Sequence, residues 1–167
     1  MKNVVIIIPT YNESGNVTPV TKALGKVFNT LSSDYSPMIL FVDDQSPDGT
    51  SAVIRTLIKK YPYVKLLENK RKGGLGHAYK KGMIYATDKL KADIVFEFDA
   101  DLSHDPTKIP QMLDSIKSGS DLVLGSRYMN GGGIPSNWPW YRKFLSVTGN
   151  IFIRLVMGNL KIKDWTT

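Results

Sequence analysis

Short apolar runs alternate with amphipathic helical patterns along most of the chain, and this alternation restricts the fold more than any other feature. Val4–Ile8 is an unbroken β-branched run, which is typical of a strand buried on both faces. Apolar residues spaced by three and four then predict a helix from about Asn16. Further strands, separated by helical patterns, are predicted at Met38–Val42, Val64–Leu67, Ile94–Phe98 and Asp121–Leu124. The pattern predicts an α/β fold with a mostly parallel central sheet flanked by helices.

Polar loops follow the ends of these predicted strands. They are Pro9–Glu13, Asp43–Thr50, Asp99–Asp105 and Gly125–Tyr128. In open parallel sheets, ligands bind outside the carboxyl ends of the strands. The loops therefore predict one composite site at that edge of the sheet.

The most informative of these loops is the acidic turn that ends the run from Ile94. Asp99 and Asp101 stand two residues apart where the chain leaves the strand. In an extended segment this spacing puts both side chains on one side. Two adjacent carboxylates repel each other by several kcal/mol at low dielectric unless a cation or proton is present. The pair predicts a divalent metal, Mg²⁺ or Mn²⁺, whereas Asp105 before Pro106 predicts a helix N-cap.

The remaining loops carry weaker signals. Ser46–Thr50 is rich in turn residues, with Thr50 as an N-cap candidate, and predicts a structural role. Asp44, at a strand exit, can accept hydrogen bonds from a base or from ribose hydroxyls. Gly73–Gly76 can present backbone N–H groups to a phosphate, although its spacing matches neither the Walker nor the dinucleotide motif. Arg127 has the chemistry of an anion clamp.

Composition limits the possible partners. The 167-residue chain has no cysteine, which excludes disulfide and thiolate chemistry, and its formal charge of +7 favours anionic partners. No apolar stretch approaches the length of a transmembrane helix, so we expect a protein on the cytoplasmic side. Zinc-finger spacing and RNA-binding signatures are absent from the sequence, and we expect no nucleic-acid partner.

The sequence changes character after the glycine-rich loop 130–133. Trp138, Trp140 and Tyr141 lead into a predicted helix with Arg142 and Lys143 at its start. Aromatic residues beside basic ones on an amphipathic helix fit a water–lipid interface, and packing of the same apolar stripe on the domain core is the alternative. We expect a catalytic domain over residues 1–140 and an acceptor or membrane-interface region over residues 141–167.

Five stretches in order resemble the family 2 glycosyltransferases of the GT-A fold, in particular the dolichol-phosphate mannose synthase group and its polyprenyl-phosphate relatives. They are Pro9–Glu13, Val42–Thr50, Gly74–Tyr79, Asp99–Pro106 and Gly125–Tyr128. The resemblance implies a nucleotide-diphospho-sugar site formed by Pro9, Tyr11, Glu13, Val42, Asp44, Asp99, Ala100, Asp101 and Arg127. It also implies that Asp99 and Asp101 hold the metal and that Arg127 contacts the diphosphate or the acceptor phosphate.

The chain departs from the family pattern at two positions and at its end. Ser103 is the candidate third metal ligand and stands where many relatives have Gln, and Gln45 replaces the usual Gly. The last residues, Lys161–Thr167, resemble the approach to a basic segment of the family, so we expect a truncated chain.

The implied reaction transfers a hexose, mannose from GDP-mannose being favoured, to dolichyl or polyprenyl phosphate with inversion at the anomeric carbon. The acceptor phosphate and lipid would meet Trp138, Trp140, Arg142 and Lys143 at the cytoplasmic face of a membrane, with a partner membrane subunit or domain as a further expectation. Three alternatives remain open: a UDP-glucose-dependent polyprenyl-phosphate glucosyltransferase, a non-catalytic nucleotide-sugar or membrane-surface binder, and a haloacid dehalogenase-type phosphatase with Asp99 as nucleophile.

Overall fold

The structure, a computed structural model, describes residues 1–126, 133, 138–158 and 164. The chain divides into two compact units, Met1–Asp114 and Ser115–Thr167. The first unit contains the sheet and the acidic turn, and the second contains the aromatic helix.

The first unit is built on a parallel sheet of four described strands. These are β1 (Lys2–Thr10), β2 (Tyr35–Asp43), β3 (Val64–Glu68) and β4 (Ile94–Glu97), in the order β3-β2-β1-β4. Ile6 pairs with Ile39 on one side and with Phe96 on the other, so β1 is a central strand. The β-branched run that begins at Val4 is fully buried for this reason. The predicted α/β fold with a parallel sheet is confirmed.

Helices connect the strands as the apolar spacing predicts. They are α1 (Val17–Phe28), α2 (Thr50–Lys60), α3 (Leu75–Asp88) and, after a 3-10 turn at Pro106–Lys108, α4 (Ile109–Lys117). The α1 stripe of Val17, Val20, Leu24 and Val27 is buried. In α3, a Cβ at Gly82 would lie 2.6 Å from Ile7 Cγ2 and 3.1 Å from Val42 Cγ2. Glycine therefore allows α3 to pack closely on the sheet.

The strand register brings the polar loops to one edge. Thr10 pairs with Asp43 at the ends of β1 and β2, and the Asp44 N–H continues the ladder by donating to the Thr10 carbonyl at 3.0 Å. On the other side of β1, the Phe98 N–H donates to the Ile7 carbonyl at 3.0 Å. The residues that follow these strands therefore begin at one edge of the sheet.

The second unit contains α5 (Trp140–Val156), which confirms the helix predicted from about Tyr141. The buried Asn150 donates from Nδ2 to Asp164 Oδ1 at 3.2 Å. The strand predicted at Asp121–Leu124 is wrong, because this segment is irregular in the structure. A strand obtains its hydrogen bonds from a neighbour, so an apolar pattern alone does not form one. In the described ranges, no helix combines the length and the apolar character needed to cross a membrane.

Candidate functional site

A cleft of about 320 Å³ lies at the carboxyl ends of β1, β2 and β4. Four stretches of the first unit line it: the loop after β1, the end of β2, the glycine loop with the start of α3, and the acidic turn. The lining residues are Pro9, Thr10, Tyr11, Glu13, Asp44, Lys72, Gly74, Leu75, Ala78, Asp99, Ala100 and Asp101. Part of the predicted composite site is thus formed within the first unit.

Hydrogen bonds hold the loop after β1 to the turn after β2. The Asn12 N–H donates to Ser46 Oγ at 3.0 Å, and the Glu13 N–H donates to Thr50 Oγ1 at 2.9 Å. The Asn12 backbone has φ 61°, a left-handed conformation that asparagine tolerates. Because these bonds fix the backbone at Asn12 and Glu13, the side chains of Tyr11 and Glu13 are held at the cleft.

The turn itself is arranged by Asp48. Its carboxylate accepts from the Ser14 N–H at 3.0 Å, the Thr50 N–H at 3.0 Å and the Thr50 hydroxyl at 2.6 Å. The Thr50 hydroxyl bond is the largest cause of the lowered pKa of Asp48. The structural role predicted for this turn agrees with these contacts. Thr50 as N-cap is wrong, because Gly49 occupies that position and the Asp48 side chain accepts from the first helical N–H.

Asp43, at the end of β2, is buried and accepts hydrogen bonds from three side chains. These are the Thr10 hydroxyl at 3.0 Å, the Ser46 hydroxyl at 2.6 Å and the Ser51 hydroxyl at 2.9 Å, together with the Ser46 N–H at 3.0 Å. Asp43 therefore joins the end of β1, the turn after β2 and the start of α2.

Asp44 is 4% exposed, and its carboxylate anchors the glycine loop. It accepts from Asn69 Nδ2 at 2.8 Å, from the Gly73 N–H at 2.9 Å and from the Gly74 N–H at 2.8 Å. Burial raises the pKa of Asp44, but these hydrogen bonds outweigh it and leave the pKa below its ordinary value. The expectation that this loop presents backbone N–H groups to a phosphate is wrong for Gly73 and Gly74, since both donate to Asp44.

The acidic turn places Asp99 and Asp101 on the cleft together with Ala100. The Asp99 side chain is 46% exposed and accepts from the Tyr79 hydroxyl at 3.3 Å. The pKa of Tyr79 is raised above its ordinary value, mainly by burial and next by the nearby Asp99 carboxylate. The Tyr79 hydroxyl therefore keeps its proton and donates it in this hydrogen bond. His104 accepts from the Asp99 N–H at 3.3 Å and packs edge-to-face on Phe98, which supports the turn from behind.

Asp101 is exposed and accepts from the Ser103 N–H at 2.9 Å. This bond is the largest cause of its lowered pKa. Ser103 is exposed, and its side chain is not among those that line the cleft. After the turn, Asp105 accepts from the Thr107 N–H at 2.9 Å, with Pro106 next in sequence, as its predicted N-cap role requires.

The donors at the acidic turn fit a hard divalent cation. Asp99 and Asp101 both provide carboxylate oxygens. Beside the hydrogen bonds that they accept, each carboxylate has lone pairs left for a cation. Among the residues that the structure describes, no cluster of three or more His, Cys, Asp or Glu side chains is arranged to bind a metal. Two carboxylates suit Mg²⁺ or Mn²⁺, which complete their coordination with waters and substrate phosphates.

Two of the predicted nucleotide-sugar residues are not among those that line the cleft: one lies in the core, and the other lies outside the described residues. Val42 is fully buried in the core cluster with Val5, Ile7 and Leu40, and it does not line the cleft. Arg127 lies outside the described residues. Its predicted contact with the diphosphate therefore stays a prediction.

The structure adds side chains at the cleft that the sequence did not predict there. Lys72 and Leu75 line the cleft from the glycine loop and α3, and Asn69 holds Asp44 from below. Only the position of Lys72 in a basic, glycine-rich loop at a strand end could have indicated it. Nothing in the sequence distinguishes Lys72 from Lys70 or Arg71.

The aromatic residues of the second unit surround the start of α5. The Arg142 guanidinium lies 4.1 Å from the centre of the Trp138 ring, and Trp140 packs edge-to-face on Tyr141. Trp140 is 78% exposed, and the α5 side chains of the predicted apolar stripe are also exposed: Phe144, Leu145, Ile151, Phe152, Leu155 and Val156. Lys143 is half-buried.

A parallel sheet whose strand ends carry paired aspartates beside a polar cleft is the arrangement of the GT-A nucleotide-diphospho-sugar transferases. The sequence profile described as "Glycosyl transferase family 2" matches residues 5–163. The chain belongs to this family.

Curated relatives with more than one third identity carry related names. A "Polyprenol monophosphomannose synthase" of Mycolicibacterium smegmatis is 39% identical over 154 residues, which is 92% of this chain and 55% of that protein. A "Dolichol-phosphate mannosyltransferase" of Pyrococcus furiosus is 37% identical over 95% of this chain and 43% of its own length. An "Undecaprenyl-phosphate mannosyltransferase" of Micrococcus luteus is 39% identical over 98% of this chain and 63% of its own length. The chain therefore spans about half the length of these relatives.

Solved structures agree on the fold. The mannosyltransferase PcManGT of Pyrobaculum calidifontis, in complex with GDP-Man and Mn²⁺, has a TM-score of 0.53 at 26% identity, over 73% of this chain and 33% of that chain. Residues 1–349 of TarS of S. aureus, in complex with UDP, have a TM-score of 0.59 at 23% identity. The match covers 81% of this chain and 38% of that chain. At that lower identity the likeness shows the fold alone.

Proposed function

We propose that this chain carries the nucleotide-sugar site of a metal-assisted mannosyltransferase that moves mannose from GDP-mannose to a polyprenyl or dolichyl phosphate with inversion. The observation that carries the proposal is the cleft that Asp99 and Asp101 share with Tyr11, Glu13 and Asp44. The names of the curated relatives support the sugar and the class of acceptor.

The nucleotide lies against the loops after β1 and β4 in this proposal. Tyr11 is 41% exposed at the cleft and offers an aromatic face on which a base can stack. Pro9 and Ala100 contribute apolar surface, and Glu13 offers a carboxylate to ribose hydroxyls. Asp44 acts through the loop that it anchors, because its oxygens already accept hydrogen bonds from Asn69 and the glycines.

Asp99 and Asp101 would hold Mg²⁺ or Mn²⁺, a choice supported by the Mn²⁺ in the PcManGT complex. The ion, when bound, neutralises the leaving diphosphate and orients it. The chain's own contribution is to hold both carboxylates at the cleft. The hydrogen bond from Ser103 lowers the pKa of Asp101, and Tyr79 orients Asp99.

The acceptor needs no general base from the protein. A phosphate monoester has a second pKa near 6, so the attacking oxygen is largely ionised at neutral pH. The cleft fits this chemistry, since its lining among the described residues includes no histidine. Arg127 is the proposed contact for the diphosphate or the acceptor phosphate.

The second unit would meet the lipid. An exposed row of aromatic and aliphatic side chains on α5 beside Arg142 and Lys143 suits the headgroup region of an anionic bilayer. Trp138 and Trp140 lie at the start of the same helix and suit the water–lipid boundary. We infer peripheral association with the cytoplasmic face of a membrane, where a membrane subunit or domain is a further partner.

The test is a transfer assay with the 167-residue chain. A short-chain polyprenyl phosphate is incubated with radiolabelled GDP-mannose or UDP-glucose, with Mn²⁺, Mg²⁺ or EDTA, and lipid-linked sugar is extracted and counted. We expect metal-dependent transfer from GDP-mannose and none with EDTA. Preference for UDP-glucose would support the glucosyltransferase alternative. Calorimetric binding of GDP without any transfer would support a non-catalytic binder, and absence of both would overturn the proposal.

A further inference from the structure

The charges that line the cleft are unbalanced. Glu13, Asp44, Asp99 and Asp101 are acidic, and Lys72 is the basic residue among the described side chains that line it. A nucleoside diphosphate brings further negative charge into this space. A divalent ion offsets only two of the four carboxylates, so a favourable site for the diphosphate requires a basic side chain as well.

The Lys72 side chain lies at the cleft against the ring of Tyr11. Its Nζ is 3.4 Å from the centre of the Tyr11 ring, within the range of a cation–π contact. Both side chains line the cleft, so the ammonium lies beside the proposed place of the nucleotide. A cation–π contact at an exposed site is weak, and an ionic contact with phosphate oxygens can replace it.

The backbone on both sides of Lys72 is fixed, although the residue is exposed. Before it, the Lys70 carbonyl accepts from Gln45 Nε2 at 2.7 Å. After it, the Gly73 and Gly74 N–H groups donate to Asp44 at 2.9 and 2.8 Å. The anchored backbone therefore positions the Lys72 side chain at the cleft.

The same hydrogen bonds decide what the loop can offer to an anion. Because the Gly73 and Gly74 N–H groups are directed at the Asp44 carboxylate, they are not available to a phosphate. The Lys72 ammonium is the remaining group of this loop that lines the cleft and carries positive charge. Lys70 and Arg71 belong to the same loop but do not line the cleft.

We propose that Lys72 binds the diphosphate of the nucleotide, and that it exchanges its contact with the Tyr11 ring for an ionic contact when the nucleotide enters. Asp44 is a positioning residue for Lys72, since its carboxylate holds the loop from which the Lys72 side chain reaches the cleft. The inference rests on the proposed function, because it assigns a residue to the diphosphate part of that site.

The experiment compares the wild-type chain with Lys72→Gln, Lys72→Arg and the control Arg71→Gln, which removes the same charge from the same loop. Calorimetry with Mn²⁺ gives the Kd for GDP at low and high salt, and competition against GDP gives the Kd for guanosine. We expect Lys72→Gln to weaken GDP roughly tenfold, as for the loss of one charge-assisted contact. We expect a smaller salt dependence for this variant and unchanged guanosine affinity.

The other variants distinguish phosphate binding from a merely structural role. Lys72→Arg should retain GDP affinity within about threefold, since it keeps the charge, and Arg71→Gln should match the wild type. Equal GDP affinity in Lys72→Gln and Arg71→Gln, or an equal loss for guanosine and GDP, would overturn the role of Lys72 while the nucleotide site stands. If no protein in the series binds GDP, the proposed function fails together with this inference.

Discussion

Two pairs of aspartates follow parallel strands in this molecule, and the chain uses them differently. Asp43 and Asp44 at the end of β2 are 2% and 4% exposed. Asp99 and Asp101 follow β4, where the Asp99 side chain is 46% exposed and Asp101 is also exposed. Both pairs are at strand ends that face one cleft, yet only the second pair offers carboxylates with few protein partners.

The difference lies in the hydrogen-bond donors that surround each pair. Asp43 accepts from hydroxyls on Thr10, Ser46 and Ser51, and Asp44 accepts from an amide side chain and two glycine N–H groups. Burying a carboxylate is unfavourable unless donors replace its water. Here the donors come from the end of β1, the turn after β2, the start of α2 and the segment after β3. The buried pair therefore stabilises the segments around the cleft, and the exposed pair remains available to a ligand.

Asp101→Ala tests the exposed pair and has the largest expected effect. Removal of a proposed metal ligand should lower mannosyl transfer by roughly 1,000-fold, since the ion supplies several kcal/mol and each 1.36 kcal/mol is a factor of ten. The thermal midpoint should change little, because the side chain is exposed. Transfer assays and thermal unfolding measure the two effects, with Asp88→Ala at the exposed end of α3 as the control. Undiminished transfer would remove the metal role from this turn.

Asp43→Ala tests the buried pair and should act on stability. It leaves the hydroxyls of Thr10, Ser46 and Ser51 without their acceptor, and we expect a loss of about 3 kcal/mol in the free energy of unfolding. Urea unfolding measures this loss. A cost below about 0.5 kcal/mol, typical of a surface substitution, would show that the hydrogen bonds around Asp43 do not stabilise the loops.

Asp44→Asn gives a smaller effect with a specific pH dependence. The folded pKa of Asp44 is below its ordinary value of 3.8, so its stabilisation is complete above about pH 4 and is lost as the pH falls through the folded pKa. The variant should be about 1–2 kcal/mol less stable at pH 6, and the gap should narrow at pH 3. Urea unfolding at both pH values checks this, and a gap that does not change with pH would contradict it.

Ser103→Ala should have the smallest effect. The Ser103 N–H, which donates to Asp101, survives the substitution. We therefore expect less than a threefold loss of transfer, about 0.6 kcal/mol. A loss comparable to that of Asp101→Ala, measured in the same assay, would instead make the Ser103 hydroxyl a metal ligand.

Local patterns predicted the elements of the fold well. The β-branched run from Val4 and the three-and-four spacing in α1 indicate which faces are buried. Burial of those faces stabilises the strand and the helix, so the local pattern is enough to predict them. The segment Asp121–Leu124 shows the limit, because a strand depends on a partner whose position no local pattern contains. The acidic turn was also predictable, since an abrupt change from apolar run to carboxylates marks a strand end.

The division of labour between the aspartates was not predictable in the same way. The sequence indicated that Asp44 contacts the nucleotide and, more weakly, that the glycine loop can present N–H groups to a phosphate. The structure instead joins Asp44 and this loop to each other. The residues concerned are 29 and 30 positions apart in the chain. Contacts over such separations depend on how the loops close, which the spacing of residues does not specify.

By itself, the sequence determined the order of strands and helices, the family and the turn that carries Asp99 and Asp101. Hydrophobic periodicity and short motifs are local properties, and they survive without knowledge of the fold. Only the tertiary structure decided which carboxylates are buried among donors and which face the cleft, and it placed Lys72 over Tyr11. Burial and hydrogen bonding arise between segments distant in the chain, so they exist only once the chain has folded.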